Sequence, residues 1–507
     1  MKRTFWAAVA LSAALALVRC EPTLPTSNNG DGGATPTGDG GSPGTDSGSP
    51  DDGGPPDSGN DPGDGGGTDG GSDGGGVVIL TFPNADGWTF YGKAEGGPTD
   101  VLGVTADEGG NIWVAGGEEG LFLLRKGAST FERFTMDDGL HPYGYMPDGS
   151  DAPGPHYLKV LSVAGGPAGT VFVGYAGRPP PPGKVDCESN WDGPDPDPSI
   201  YKSGDADKVT LKPDGGINVV HYDIFSGPNV VRDEPRGREK VCDILRIAYD
   251  KGTQSVWFGG NHGFAWGRAG FTGNPRCNGQ LGCAGLFEHV HPAVCGTVGS
   301  ELVLLTDSYY GVGVDRATGD VWFGGANRAT RFKFGTYGDY WAAQVDTEAG
   351  HSSTSRIDVW PDAVPEDQCP TPAQRKDDAI SGIAVMGDGS VWVSSFAWGL
   401  AHLDGEGHVL GYRSGDLIAP HVSALAADTD GSLWAGHRWG GGISRLQGGA
   451  VLQYGEATFG TALAAHPIWD IQIDRSGSPR RVLVAFRSLE RSDGAIEAGA
   501  IGVFAGN

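Results

Sequence analysis

The sequence predicts an all-β fold, a ring of seven small four-stranded antiparallel sheets behind a disordered tether. Three observations predict it. Ile383, Asp388-Gly389-Ser390-Val391-Trp392 and Tyr412 return as Leu425, Asp430-Gly431-Ser432-Leu433-Trp434 and Tyr454, each matched pair 42 positions apart. A period in the forties held without slippage marks a repeat architecture. Within a copy, apolar and small residues alternate up to Asp-Gly and a strand-length apolar run follows, which is period-two patterning broken by turn residues. Seven copies can be counted; the seventh lacks its last strand, and an orphan strand at Trp88–Tyr91 supplies it. A ring closed in this way leaves no bare sheet edge, so the predicted fold is a seven-bladed β-propeller.

Residues 1–19 read as an export signal, with Lys2 and Arg3 ahead of the apolar run Trp6 to Val18, which is too short to span a membrane. The run ends in Leu17-Val18-Arg19-Cys20, similar to a lipoprotein box whose cysteine becomes the lipidated first residue; Arg19 departs from the small residue usual there. Lipidation at Cys20 and ordinary cleavage to a soluble exported protein both stay open. Residues 20–76 are built almost entirely of Gly, Asp, Pro, Ser and Thr, a composition that stays disordered and extended. The propeller is expected over residues 77–507.

The copies follow in order. The first holds Val101 to Val104, Asp107 to Trp113, Gly120-Leu121-Phe122 and Phe131 to Phe134. A weaker second has Leu158 to Val163 and Val171 to Gly174, then an insertion with Pro179 to Pro182 and Cys187. The third has Ile244 to Tyr249 and Val256 to Gly259; the fourth has Gly311 to Val314 and Val321 to Gly324. The two clean copies are fifth and sixth, and the seventh runs through Ile468 to Ile473, Val482 to Phe486 and Ile501 to Phe504. Asp428 and Asp430 invite comparison with a calcium loop, but the later ligands of such a loop are missing, and Asp-x-Asp-Gly is read as the turn between first and second strands.

Composition agrees with many tight turns and about one aromatic per repeat: of 507 residues 89 are Gly and 14 are Trp, with 4 Met. Net charge is −27, and eleven acidic groups fall within residues 21–76, which carry no Lys or Arg, so the remainder is acidic as well. A nucleic acid is not expected as a partner, because its affinity rests on Lys and Arg neutralising phosphates.

The pattern Asp-x-x-Gly-x-(Ile/Leu/Val)-Trp-(Val/Phe/Ala)-(Gly/Ser/Ala), followed by Gly-Leu and later by Phe or Tyr, resembles the two-component regulator propeller repeat found in periplasmic sensor regions and in lyase-like propellers. It covers most of residues 100–507, most strongly in copies one, five and six. The acidic tether behind a cysteine also resembles myxobacterial surface lipoproteins. The resemblance implies an exported ligand-sensing or interaction propeller at the outer membrane, cell surface or periplasm. The sequence carries no kinase, receiver or transmembrane segment, so the signalling role of larger members does not transfer.

Beyond Cys20 stand six cysteines, Cys187, Cys242, Cys277, Cys283, Cys295 and Cys369, in or beside the insertions. Export places them where three disulfides form, with the connectivity open. A zinc reading of Cys277, Cys283 and Cys295 with His289 or His291 is disfavoured because no Cys-x-x-Cys occurs. Gly-x-Ser-x-Gly and His-Glu-x-x-His are absent, and Gly177 to Lys184 has the wrong spacing for a phosphate loop. No catalytic residue and no cofactor is assigned.

Loops joining second to third strands, and fourth strands to the next first strand, are expected on one face around the channel. The candidate binding residues there are Asn261, His262, Asn327, Arg328, Trp398, His437, Arg438, Trp439 and His421, with Glu118-Glu119 and Phe396-Ala397 on the same loops. Variable polar and aromatic residues on a repeated scaffold suit a binding face, though any single one can be plain solvated loop. Trp398 and Trp439 suit stacking on a sugar or aromatic ring. His156, His421 and His466 precede first strands and either ring one mouth or simply lead into the strands. The expected function is non-catalytic binding of an unidentified ligand or envelope protein, with the membrane reached only through lipid at Cys20. The alternatives are a lyase or hydrolase of the streptogramin-inactivating type and a purely structural surface protein.

Overall fold

The computed structural model describes residues 76–143, 156–177, 205–222, 243–260, 263–273, 286–290, 297–298, 301–302, 309–325, 328–332, 354–360, 380–439 and 441–506, all within the unit Gly66–Asn507. The export signal, most of the tether, and Cys20, Cys187, Cys242, Cys277, Cys283, Cys295 and Cys369 lie outside them, as do Asn261, His262 and Asn327. Among the described residues no helix is long and apolar enough to cross a membrane.

Among the described residues, period-two patterning has become seven four-stranded antiparallel sheets. The first holds Gly103–Ala106, Ile112–Ala115, Leu121–Leu124 and Glu132–Phe134; the second holds Val160–Gly165, Thr170–Tyr175, Ala206–Leu211 and Ile217–Tyr222. The third is Ile244–Asp250, Ser255–Gly260, Gly263–Arg268 and Leu286–Val290; the fourth is Gly311–Val314, Val321–Gly324, Arg328–Phe332 and Thr354–Asp358. The repeated stretch forms the fifth, Ile380–Val385, Val391–Ser395, Gly399–Leu403 and Val409–Arg413, and the sixth, Val422–Ala427, Leu433–His437, Ile443–Gln447 and Ala450–Tyr454. In the seventh, Ile468–Asp474, Arg481–Phe486 and Ala500–Phe504 come from the C-terminal end, and Trp88–Tyr91 is the fourth strand, pairing Trp88 with Phe504 and Tyr91 with Ile501.

The first strands are neighbours in order from the first sheet to the seventh, and Ile468–Asp474 also lies against Gly103–Ala106. This is the architecture of a β-propeller. Its repeated Asp-Gly turns follow one pattern: the Gly389 and Gly431 amides donate to Met386 and Asp428 carbonyls, at φ of +85° and +81°. Asp428 accepts from the Trp434 indole at 2.9 Å and Asp430 from the Ser432 amide at 2.9 Å, so both carboxylates serve the turn. Asp107 and Trp113 repeat the indole bond in the first sheet at 2.9 Å. Trp113, Trp257, Trp322 and Trp434 are fully buried.

Sheet-to-sheet spacing explains the glycine at or next to the end of the second strand in the second, fourth and sixth sheets. A Cβ added at Gly174 would stand 2.4 Å from Ile244 Cγ2, one at Gly324 2.2 Å from Ile380 Cγ2, and one at Gly436 2.4 Å from Ile468 Cγ2. In each case the first residue of the next sheet fills the room a side chain would take.

Several elements among the described residues were not legible in the pattern. A helix, Glu456–Ala464, follows the sixth sheet and buries Phe459 and Leu463; Phe459 meets Trp88 edge-on at 5.1 Å. A three-stranded sheet sits beside the seventh, with Val77–Val78 parallel to Ile496–Glu497, which pairs antiparallel with Leu489–Glu490.

Gly436→Ala is expected to lower unfolding free energy by about 1–3 kcal/mol through overpacking. In a Gly436→Ala/Ile468→Ala double variant, urea unfolding should show a smaller loss than the two single losses together. Strict additivity would contradict the close approach described.

Candidate functional site

The channel is lined by first strands whose pairing with their second strands breaks register near the start, between Val160 and Ser162, Ile244 and Arg246, Ile380 and Gly382, Val422 and Ala424, and Ile468 and Asp470. Such a break re-aims side chains. Aligned on it, the channel position holds Gly103, Ser162, Arg246, Gly311, Gly382, Ala424 and Asp470. Two charged residues thus stand where the other sheets carry small ones.

Those two meet. Arg246 Nη1 lies 2.8 Å from Asp470 Oδ1, linking third and seventh sheets, which are not neighbours in the ring order. Arg246 Nε donates to the Tyr310 carbonyl at 3.2 Å and Nη2 to the Trp469 carbonyl at 3.4 Å. Asp470 also accepts from the Val104 amide at 3.1 Å and from Gln472 at 3.1 Å. The ion pair is largely withdrawn from solvent and braces one end of a cavity of about 220 Å³.

Around this brace lies a basin of rings and guanidinium groups. Phe396 and Trp469 stack at 6.0 Å and 27°, and Tyr310 meets Phe396 edge-on at 5.3 Å. Arg438 lies over Trp439 at 5.0 Å, Phe396 at 5.2 Å and Trp469 at 5.7 Å, while Arg487 covers Trp469 at 5.0 Å. A guanidinium over an aromatic face contributes about 0.5–2 kcal/mol and fixes both groups. Arg487 is held by Asp100, with Nη2 to Oδ2 at 2.7 Å, and the Ser488 amide also donates to Asp100 at 2.9 Å. Burial alone would raise the Asp100 carboxyl, but the Arg487 charge and these hydrogen bonds hold it below the usual carboxylate range.

The structure sorts the residues expected from sequence. Arg438 belongs to the basin and lies over Trp439, 45% exposed; Trp398, 48% exposed, stands two residues after Phe396 on the same loop. His421 is half-buried and accounts for its Nδ1 with the Phe396 carbonyl at 2.9 Å, while its own carbonyl accepts from the Arg438 amide at 2.8 Å. His437 requires a correction: it ends the strand Leu433–His437, fully buried, with Nε2 at 2.9 Å from Ser444 Oγ. Burial pushes its imidazole down to about 4, so it stays neutral and inside the sheet. Arg328 begins the third strand of the fourth sheet, opposite Asp358. Glu118 accepts from Tyr157 at 2.8 Å and Glu119 pairs with Lys93 at 2.6 Å.

The three histidines do not act as one set. His156 stacks on Tyr143 at 3.6 Å, and His466 is fully buried, with Nδ1 at 2.6 Å from the Arg487 carbonyl and Nε2 at 3.3 Å from Glu497. His466 therefore positions the backbone that carries Arg487. Among the described residues no group of three or more His, Cys, Asp or Glu is placed to hold a metal ion.

Sequence reasoning missed Tyr310, Trp469, Arg246, Asp470, Asp100 and Arg487. A usable signal was present: where Trp469 and Tyr310 stand, the fifth and sixth sheets carry Ser381 and Ser423. An aromatic in the place of a serine on a repeated strand is visible once the copies are aligned on the break in register.

No protein-family model and no curated protein matches the chain. Among solved structures it is similar to virginiamycin B lyase from Staphylococcus aureus, at 13% identity and a TM-score of 0.45, over 82% of this chain and 98% of that one. YCF48 from Cyanidioschyzon merolae gives 12% identity and a TM-score of 0.44, over 83% and 98%. The WD40 β-propeller domain of Doa1 gives 10% identity and a TM-score of 0.40, over 83% and 94%.

Removing either side of the brace leaves the other charge without its ion-pair partner. Arg246→Met and Asp470→Leu are each expected to cost about 3–5 kcal/mol. The double variant should lose at least about 1 kcal/mol less than the sum in chemical denaturation. Independent, additive losses would show that the pair is not a unit.

Proposed function

We propose that this chain is an exported protein, tethered to the cell envelope by lipid at Cys20, whose seven sheets close as a seven-bladed β-propeller with Trp88–Tyr91 completing the last blade. Its function is non-catalytic binding of a ligand or envelope partner at the aromatic-arginine basin. The insertions carrying Cys187, Cys242, Cys277, Cys283, Cys295 and Cys369 are locked by disulfides in this reading.

The observation that supports it is the basin. Rings of Tyr310, Phe396 and Trp469 come from three different sheets, are held by Arg438 and Arg487, and are joined on the Phe396 and Arg438 loops by the exposed rings of Trp398 and Trp439. Groups fixed before a ligand arrives lose little freedom on binding it. Such a surface suits a ring or planar group, a sugar or an aromatic side chain, flanked by acceptor or anionic groups that reach the guanidinium edges. The lyase reading needs a histidine and a carboxylate free to act. Beside the basin the histidine and carboxylate in contact are His466 and Glu497, and His466 is buried and occupied with positioning Arg487, while the exposed pair His408 and Asp404 at 2.9 Å stands at a turn of the fifth sheet; this favours binding over catalysis at the basin.

Intrinsic tryptophan fluorescence titrated with oligosaccharides, aromatic peptides and divalent ions tests the proposal. One class should quench saturably, and the response should fall at least about tenfold in apparent affinity in a Trp398→Ala/Trp439→Ala variant, as loss of stacking rings implies. Turnover of a ligand would instead support the lyase. A saturable response unchanged in the variant would place binding elsewhere.

A further inference from the structure

The opposite mouth of the channel has a different chemistry. There each first strand passes into its turn, and the second turn residue stands at the same place in every sheet. The charged residues at this place are Glu108, Lys251, Arg316 and Arg475, from the first, third, fourth and seventh sheets. Lys251 and Glu108 neutralise one another at 3.0 Å. Among the described residues neither Arg316 nor Arg475 has a carboxylate in salt-bridge distance, although the chain as a whole carries −27.

Acidic groups close by are already occupied. Asp315 accepts from the Ala317 amide at 2.9 Å and from Thr318 at 2.9 Å; Asp474 pairs with Arg481 at 2.5 Å, and Asp428 with Arg480 at 2.7 Å. Arg475 donates Nη2 to the Ala427 carbonyl at 3.0 Å, which anchors its guanidinium without cancelling its charge. Both arginines line the cavity, together with Arg246 and a single acidic residue, Asp470. Since Arg246 and Asp470 satisfy one another, the remaining charge in the lining is that of Arg316 and Arg475. The protein packed around Arg475, and then the Arg316 charge, push its guanidinium below its ordinary value even though it keeps an open surface.

We infer that Arg316 and Arg475 form an oxyanion site at this mouth, taking a phosphoryl or carboxylate group between their two guanidinium forks. Two guanidinium groups that line one cavity and act on each other's charge offer planar donor forks suited to such a group, and an anion there would relieve the repulsion between them. This site is separate from the aromatic-arginine basin and does not depend on what that basin binds.

The test uses the full chain, with inorganic phosphate and acetate titrated separately by isothermal calorimetry at constant ionic strength balanced with chloride. Saturable binding of phosphate alone assigns phosphoryl groups, and of acetate alone carboxylates. Arg316→Gln and Arg475→Gln should each weaken it at least about tenfold, as loss of a charge-assisted hydrogen bond implies. The double variant should show no saturable binding, while Arg413→Gln, which removes the same charge from an outer strand, should bind like wild type. Unchanged thermal unfolding without anion confirms that the single variants remain folded. Absence of saturable binding by either probe, or equal binding by the double variant, overturns the site.

Discussion

The pairing of Trp88–Tyr91 with Ala500–Phe504 is the constraint on which the rest of this molecule depends. Without it the seventh sheet would end in an unpaired strand, and the packing of its second and third strands on the first sheet, Leu483, Ala485, Ile501 and Val503 against Ile112, Val114, Phe122 and Leu124, would lose its outer cover. Side chains reinforce the backbone ladder: Trp88 lies 5.0 Å from Phe504, 5.1 Å from Phe459 and 5.8 Å from Tyr454. The clasp therefore ties together the strand Trp88–Tyr91, the helix Glu456–Ala464 and the outer strand of the sixth sheet. A hydrogen-bonded ladder with an aromatic cluster on one face can hold chain ends that are distant in sequence, where a loop contact would fray.

Given that clasp, the inner strands are held by hydrogen bonds between sheets. Gly165 donates to Thr105 at 2.8 Å, Ser162 to the Ile244 carbonyl at 2.7 Å, Arg246 to the Tyr310 carbonyl at 3.2 Å, and Val104 to Asp470 at 3.1 Å. Ser381 and Ser423 donate to the Val422 and Ile468 carbonyls in the same manner. Between the fourth and fifth sheets the Ile380 amide donates to the Gly325 carbonyl at 2.9 Å, and Gly311 and Gly324 pack against Ile380. Neighbouring sheets are thereby fixed tightly enough for Arg246 and Asp470 to meet across the channel, which separates a mouth of rings from a mouth of arginines. Two surfaces of different chemistry on one rigid body follow from a few substitutions in a repeat otherwise filled by Gly, Ala and Ser.

Much of the fold was legible because repeats state their pattern several times. Trp392 and Trp434, 42 positions apart, fall at the same place in consecutive sheets, and the orphan strand at Trp88–Tyr91 was assigned its partner from the missing strand of the seventh copy. The helix Glu456–Ala464 was not legible: it occurs once, and Gly460 interrupts it at φ +71°. The site was half legible. Arg438, Trp398 and Trp439 stand on loops that topology alone places on one face, whereas Trp469 and Tyr310 sit within or beside strands and look like core in a single copy. His437 shows the opposite error, since one more residue of strand carries a polar side chain from the loop into the interior, where Ser444 receives it.

Native-state amide hydrogen exchange of Trp88–Tyr91 measures the clasp most directly. If the two chain ends form one cooperative sheet, these amides should exchange with the same protection as those of Arg481–Phe486, at the free energy of global unfolding. Fast exchange of Trp88–Tyr91 while Arg481–Phe486 stays protected would contradict the account, because the strand would then open independently of the sheet it completes.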